Sequence, residues 1–119
     1  MPAKQTGSSP GTESALLTDA EGAEPADLPP QALRYIGLMR EVPAVRHIAF
    51  GRDGAALRLW AVTDTYDFDA NDRIFTRELV LYDEWPDAKY DFHVVPLEGR
   101  PLGWVLPDSM AVIWTRPQR

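Results

Sequence analysis

Residues 45–63 read VRHIAFGRDGAALRLWAVT: two runs rich in β-branched and aromatic side chains around an Asp53-Gly54 pair. Such a pair is a strong signal for a tight hairpin, because primed two-residue turns need positive φ, which Gly accepts freely and Asp tolerates. With Asp53 and Gly54 as the turn residues, Phe50 falls opposite Leu57, Ile48 opposite Leu59 and Arg46 opposite Ala61, and this side is the expected core face. The other face pairs Ala49 with Arg58, His47 with Trp60 and Val45 with Val62. That surface is too apolar for open solvent and too polar for a deep core. It is therefore covered in part, either by a partner docking on Trp60, His47 and Arg58 or by a helix of the same chain.

Upstream, Pro29 and Pro30 open QALRYIGLMREV, in which Leu33, Ile36, Met39 and Val42 recur at three-residue steps and Pro43 ends the pattern. This predicts a short amphipathic helix over 31–42, the intramolecular candidate for covering the mixed face. Downstream, the acidic loop DTYDFDAND precedes RIFTRELVLYDEW. There Ile74, Phe75, Leu79, Leu81, Tyr82 and Trp85 gather mostly on one helical side, Arg73, Arg77 and Asp83 on the other, and Pro86 closes the helix. Asp69 or Asn71 is the expected N-cap. KYDFHVVPL then reads as a strand with Tyr90, Phe92 and Val94 on one side and Asp91, His93 and Val95 on the other. GRPLGWVLPDS is a Gly/Pro-punctuated loop and MAVIWT a last strand. The order α-β-β-α-β-β predicts an α/β (α+β) domain, a small mixed sheet with helices packed on it.

The chain has 119 residues and no cysteine, with Lys+Arg 12 against Asp+Glu 18. Thiol catalysis, Cys-ligated zinc, iron–sulfur clusters and disulfides are excluded. Residues 1–30 carry Lys4 against Glu13, Asp19, Glu21, Glu24 and Asp27 and few large apolar side chains. They cannot bury enough surface to offset ordering entropy, so 1–28 is expected to be a disordered acidic tail and 29–119 a single domain. Residues 31–63 are net basic and residues 64–91 strongly acidic. This dipolar pattern does not match a nucleic-acid footprint. No stretch reaches the roughly 18 apolar residues of a membrane span, and the N-terminus lacks a secretory apolar run, so a cytoplasmic protein without membrane or nucleic-acid partner is expected. The excess of Arg over Lys and the abundance of Ala suggest a small bacterial protein from a GC-rich genome.

Several motifs carry chemistry on paper. Asp67, Asp69, Asn71 and Glu78, with Ile74 between, have the spacing of an EF-hand calcium loop over 67–78, but Asp72 stands where the turn needs glycine and no entering helix precedes it. Helix capping explains the same acids, and no metal or cofactor site is expected. Trp85-Pro86-Asp87 resembles the acid loop of tyrosine phosphatases, whose chemistry needs the cysteine this chain lacks. His47 and His93 are isolated on strands. No nucleophile elbow or Gly-rich phosphate loop occurs.

One resemblance spans residues 31–116. VRHIAFGRDG, a second strand, a helix, YDFHVV and PDSMAVIWTR follow the order of the minimal nucleotidyltransferase fold, where a Phe-Gly-Ser turn precedes two aspartates on the second strand and a third acid on a later one. Phe50-Gly51 match, Arg52 replaces the serine, and LRLWAVT has no Asp-x-Asp pair. The resemblance implies a catalytically silent relative, such as those paired with small helical proteins in toxin–antitoxin-like operons. The leading expectation is thus a non-catalytic interaction module that binds a protein partner or its own copy through Trp60, His47 and Arg58. The alternative is a divalent-metal nucleotidyl or phosphodiester transferase in which Asp67, Asp69 and Asp91 converge on two metal ions.

Overall fold

The computed structural model describes residues 27–118, so the expected tail over 1–28 falls almost wholly outside the described residues. Its last position, Leu28, is buried in the core and belongs to the domain. The elements are α1 (Pro30–Met39), β1 (Val45–Asp53), β2 (Ala56–Thr63), α2 (Phe68–Glu84), β3 (Lys89–Pro96), a helical turn α3 (Leu102–Val105) and β4 (Ala111–Thr115). This is the expected mixed α+β order, with α3 added inside the Gly/Pro loop. No helix among the described residues is long and apolar enough to cross a membrane.

Helix α1 starts with Pro30 at its first position, where the missing N–H costs nothing. It buries Ala32, Tyr35, Leu38 and Met39 and leaves Leu33 47% exposed. The expected stripe Leu33-Ile36-Met39-Val42 fails because equal steps of three drift backward around a 3.6-residue helix, whereas Ala32, Tyr35, Met39 and Val42 stay in phase. The chain leaving α1 is held by Arg116, which donates to the carbonyls of Arg40 (3.1 Å), Val42 (3.0 Å) and Val45 (2.8 Å). Of these, the Arg40 carbonyl is at the C-cap, where a helix end leaves carbonyls without intrahelical partners.

The hairpin forms, two residues out of the expected register. Asp53 pairs with Ala56, so the loop is Gly54-Ala55, with Gly54 at φ 60°. One positive φ at the first loop position suits a Gly-first turn and spares Asp53 the left-handed region. Phe50 now faces Leu59 and Ile48 faces Ala61, while Ala49 meets Trp60 and His47 meets Val62. A two-residue slip keeps every side chain on its expected face. A bulge between Val45 and His47 reverses two assignments, turning Val45 into the core and Arg46 out to solvent.

The sheet order is β3-β2-β1-β4, with β3 parallel to β2 and β4 antiparallel to β1. Strands β2, β3 and β4 therefore all point the same way. The β2–α2–β3 crossover moves toward one edge and the β3–β4 crossover moves back past it to the other. If both keep the right-handed sense, they must lie on opposite faces. Helices α1 and α2 accordingly pack on one face over Ile48, Phe50, Leu57, Leu59 and Ala61. Residues 97–110 cross the other, where Met110 lies against Gly51 and, with Ala49 and Val62, is buried outside the main core cluster.

Helix α2 begins at Phe68, five residues before the expected Arg73, because Asp67 acts as N-cap and accepts from the Ala70 amide at 3.0 Å. It ends at Glu84, ahead of Pro86. Its interior face holds Ala70, Ile74, Leu81 and a buried acid, Glu78, whose only polar partner among the described residues is the Tyr35 hydroxyl, donating at 2.9 Å. Burial outweighs that hydrogen bond and pushes the Glu78 carboxyl from an ordinary 4.5 up to about 7. Tyr35 is raised well above its ordinary range by burial and by the Glu78 charge.

Two outcomes follow. At Gly51, an added Cβ would sit 2.7 Å from Met110 Sδ and 3.0 Å from the Ser109 carbonyl, whereas at Gly37 it would meet nothing. Gly51→Ala should lower urea-unfolding stability by about 1–3 kcal/mol, and Gly37→Ala should raise it by about 0.5–1 kcal/mol. Equal effects would show that residues 97–110 do not press on the sheet. For Glu78, the folded state holds its proton more tightly than the unfolded chain. Stability contributed below the unfolded value is lost as pH rises from about 4.5 to about 7, by a total on the order of 3 kcal/mol. Glu78→Gln should flatten this descent in a pH series of urea melts; an unchanged slope would assign it to other groups.

Candidate functional site

The second sheet face carries two of the expected binding residues side by side. Parallel pairing sets Arg58 beside Asp91 and Trp60 beside His93. Asp91 lies between two cationic or ionisable neighbours: Arg58 Nε stands 3.2 Å from Oδ2, an ion-pair contact without hydrogen-bond alignment, and His93 Nε2 is 2.9 Å from Oδ1. Arg58 also reaches Asp53 at 3.4 Å. Trp60 lies opposite Ala49 rather than His47, and its ring tilts against His93 with centroids 4.6 Å apart. Both side chains are thus half-buried and already engaged. The β3–β4 connection meets this face at Gly51, through Ser109 and Met110; the helix expected over 31–42 packs on the opposite face.

His47 belongs to a different setting. It pairs with Val62 and Thr115, and its Nδ1 shares a 2.9 Å hydrogen bond with Thr115 Oγ1. Burial lowers its pKa against the opposing pull of Asp64, favouring the neutral ring. It lines an open cleft of about 910 Å³ together with Arg40, Arg46, Asp64, Trp114 and Arg116. Trp60 turns toward β3 and His47 toward β4, so the three expected binding residues divide between two surroundings.

The acids do not converge. Asp91 stands level with Arg58, five residues before the Thr63–Pro96 pair that ends β2 and β3, about 16 Å along the strands at ~3.3 Å per residue. Asp67 and Asp69 lie past that far end, where the Glu98 carboxylate accepts from the Tyr66 amide at 3.0 Å and the Glu98 amide donates to the Asp64 carbonyl at 2.8 Å. Asp91 also projects from the face opposite α2. Among the described residues no group of three or more His, Asp or Glu side chains is arranged to hold a metal ion. The calcium spacing over 67–78 dissolves for a related reason: from Phe68 onward those residues are helical, Ile74 is in the core and Glu78 bonds Tyr35 inside it.

The feature that periodicity alone misassigned is the outer side of α2. Phe68, Phe75, Leu79 and Tyr82 are 71%, 53%, 58% and 42% exposed. At 100° per residue they fall within an arc of about 60°, beside the interior arc of Ala70, Ile74, Glu78 and Leu81. The helix has two apolar stripes, and the expected single face merged them. Tyr82 joins the outer stripe to the sheet edge through perpendicular contacts with Tyr90 (5.1 Å) and Phe92 (5.8 Å). Asp72 and Asp83 flank it. The opposite flank of α2 is tied to α1 and the turn after it by Arg34–Glu84 (3.1 Å) and Arg77–Glu41 (3.0 Å), so the outer stripe points away from α1. The sequence signal was the 7-4-3 spacing of these four residues.

No protein-family model matches the chain, and no curated protein matches its sequence.

Proposed function

We propose that the chain is a non-catalytic protein-interaction module of nucleotidyltransferase-like build that acts in the cytoplasm on a small helical protein, not on nucleic acid. The observation that carries this reading is the outer stripe of α2. Four large apolar side chains in one line on an otherwise charged helix are unusual for a surface that meets only water. A stripe of this shape accepts the apolar face of a second helix at i, i+3/i+4, i+7 spacing.

Charge selects the occupant. Asp72 and Asp83 border the stripe, and residues 64–91 carry nine acids against Arg73, Arg77 and Lys89. A second copy would bring acid against acid, whereas a helix with Lys or Arg flanks is complemented. Trp60 and Arg58 are weaker anchors, since each already contacts β3 neighbours.

The test uses two synthetic amphipathic helical peptides with the same leucine stripe, one flanked by lysine and one by glutamate. The lysine peptide should bind at least tenfold tighter at low salt, Leu79→Asp should abolish its binding, and Trp60→Ala should leave it unchanged. Leu79→Asp should alter unfolding stability by no more than about 0.5 kcal/mol, as for other exposed sites. Equal binding of the two peptides, or loss with Trp60→Ala and not with Leu79→Asp, would overturn this surface. So would sedimentation as a dimer that Leu79→Asp dissociates, which would make the occupant a second copy.

A further inference from the structure

The cleft beside His47 lies at the β4 side of the sheet, shares no lining residue with the outer stripe of α2, and has a different chemistry. Its wall carries three arginines against one acid. Arg116 is committed, donating to three backbone carbonyls and lying over the Trp114 ring at 5.0 Å. Arg46 is bound to Asp64 at 2.9 Å, but both side chains are about half exposed. A pair of that kind is weak and exchanges readily. The side chain of Arg40 has no ionic partner among the described residues.

We propose that this cleft binds a small oxyanion carrying at least two negative charges, held by the guanidinium groups of Arg40 and Arg46 beside the fixed wall of Trp114 and Arg116. The planar fork of each guanidinium matches carboxylate and phosphate oxygens equally, so the geometry specifies an oxyanion of either type. The rest of the molecule makes this specific. A chain of net charge −6 repels anions at long range, so measurable affinity has to come from a local cluster. Asp64 acts as an internal competitor that occupies Arg46 when the cleft is empty. His47, fixed by Thr115 and favouring the neutral ring, adds no charge and leaves the arginines to set affinity.

The experiment titrates the full chain with pyrophosphate and, separately, with citrate, at constant ionic strength. It follows backbone amides and the Trp114 indole resonance. Saturable shifts confined to residues around the cleft are expected with at least one of the two; which one separates a phosphate from a carboxylate ligand. Arg40→Ala should weaken binding at least fivefold. Asp64→Asn should strengthen it severalfold by freeing Arg46, an effect that loss of fold would not produce. Arg52→Ala, which removes an exposed arginine stacked over Phe50 at the hairpin tip, should leave affinity within twofold. The proposal is overturned if neither anion gives saturable shifts, if Arg52→Ala weakens binding as much as Arg40→Ala does, or if Asp64→Asn has no effect or weakens it.

Discussion

Strands β3 and β4 run parallel at opposite edges of a four-stranded sheet, and the chain between them has to cross both inner strands. The right-handed sense of such crossovers puts residues 97–110 on the face that α2 does not use. Much else depends on this one constraint. It gives each face its own cover: a helical layer over the large apolar side chains on one, and a thin irregular segment on the other. On β1 that face carries two small residues, Ala49 and Gly51, and the segment comes closest at Gly51. Gly51 is required there because Met110 and the Ser109 carbonyl occupy the space of a Cβ. The polar residues of the same face, Arg58, Asp91 and His93, lie toward the β3 side and compensate one another.

Helix α2 faces two environments. Its inner face completes the core and brings in Glu78, an acid that survives burial by favouring its neutral form and accepting a hydrogen bond from Tyr35. That choice makes the core sensitive to pH in the near-neutral range. One flank is tied to the α1 region by ion pairs with Arg34 and Glu41, which hold geometry more than they stabilise, since all are at least partly exposed. The remaining flank leans toward the β3 edge and carries the outer apolar stripe. The proposed docking stripe on α2 lies within the acidic segment 64–91, whereas two of the three arginines that line the cleft near β4, Arg40 and Arg46, come from the basic segment 31–63.

The sequence by itself determined the elements whose cause is local. Asp53-Gly54 between two β-rich runs specifies a hairpin, Pro30 and Pro86 bound the two long helices, and period-two alternation assigns the faces of β2 and β3, which register slips of two residues leave intact. Tertiary structure decided whatever depends on what lies opposite. The turn settled on Gly54-Ala55 because only Gly54 adopts positive φ there. The bulge at Arg46 sent Val45 inward, and Asp67, not Asp69 or Asn71, capped α2. Which of two adjacent apolar stripes on α2 is interior, and which polar groups of β2 meet those of β3, cannot be read from periodicity, because a helix pattern shows which residues share a face and not which face finds a partner. Crossover handedness and strand order supply that partner, and so placed Trp60 beside His93, His47 at the cleft, and Asp67 and Asp91 at opposite ends of the strands.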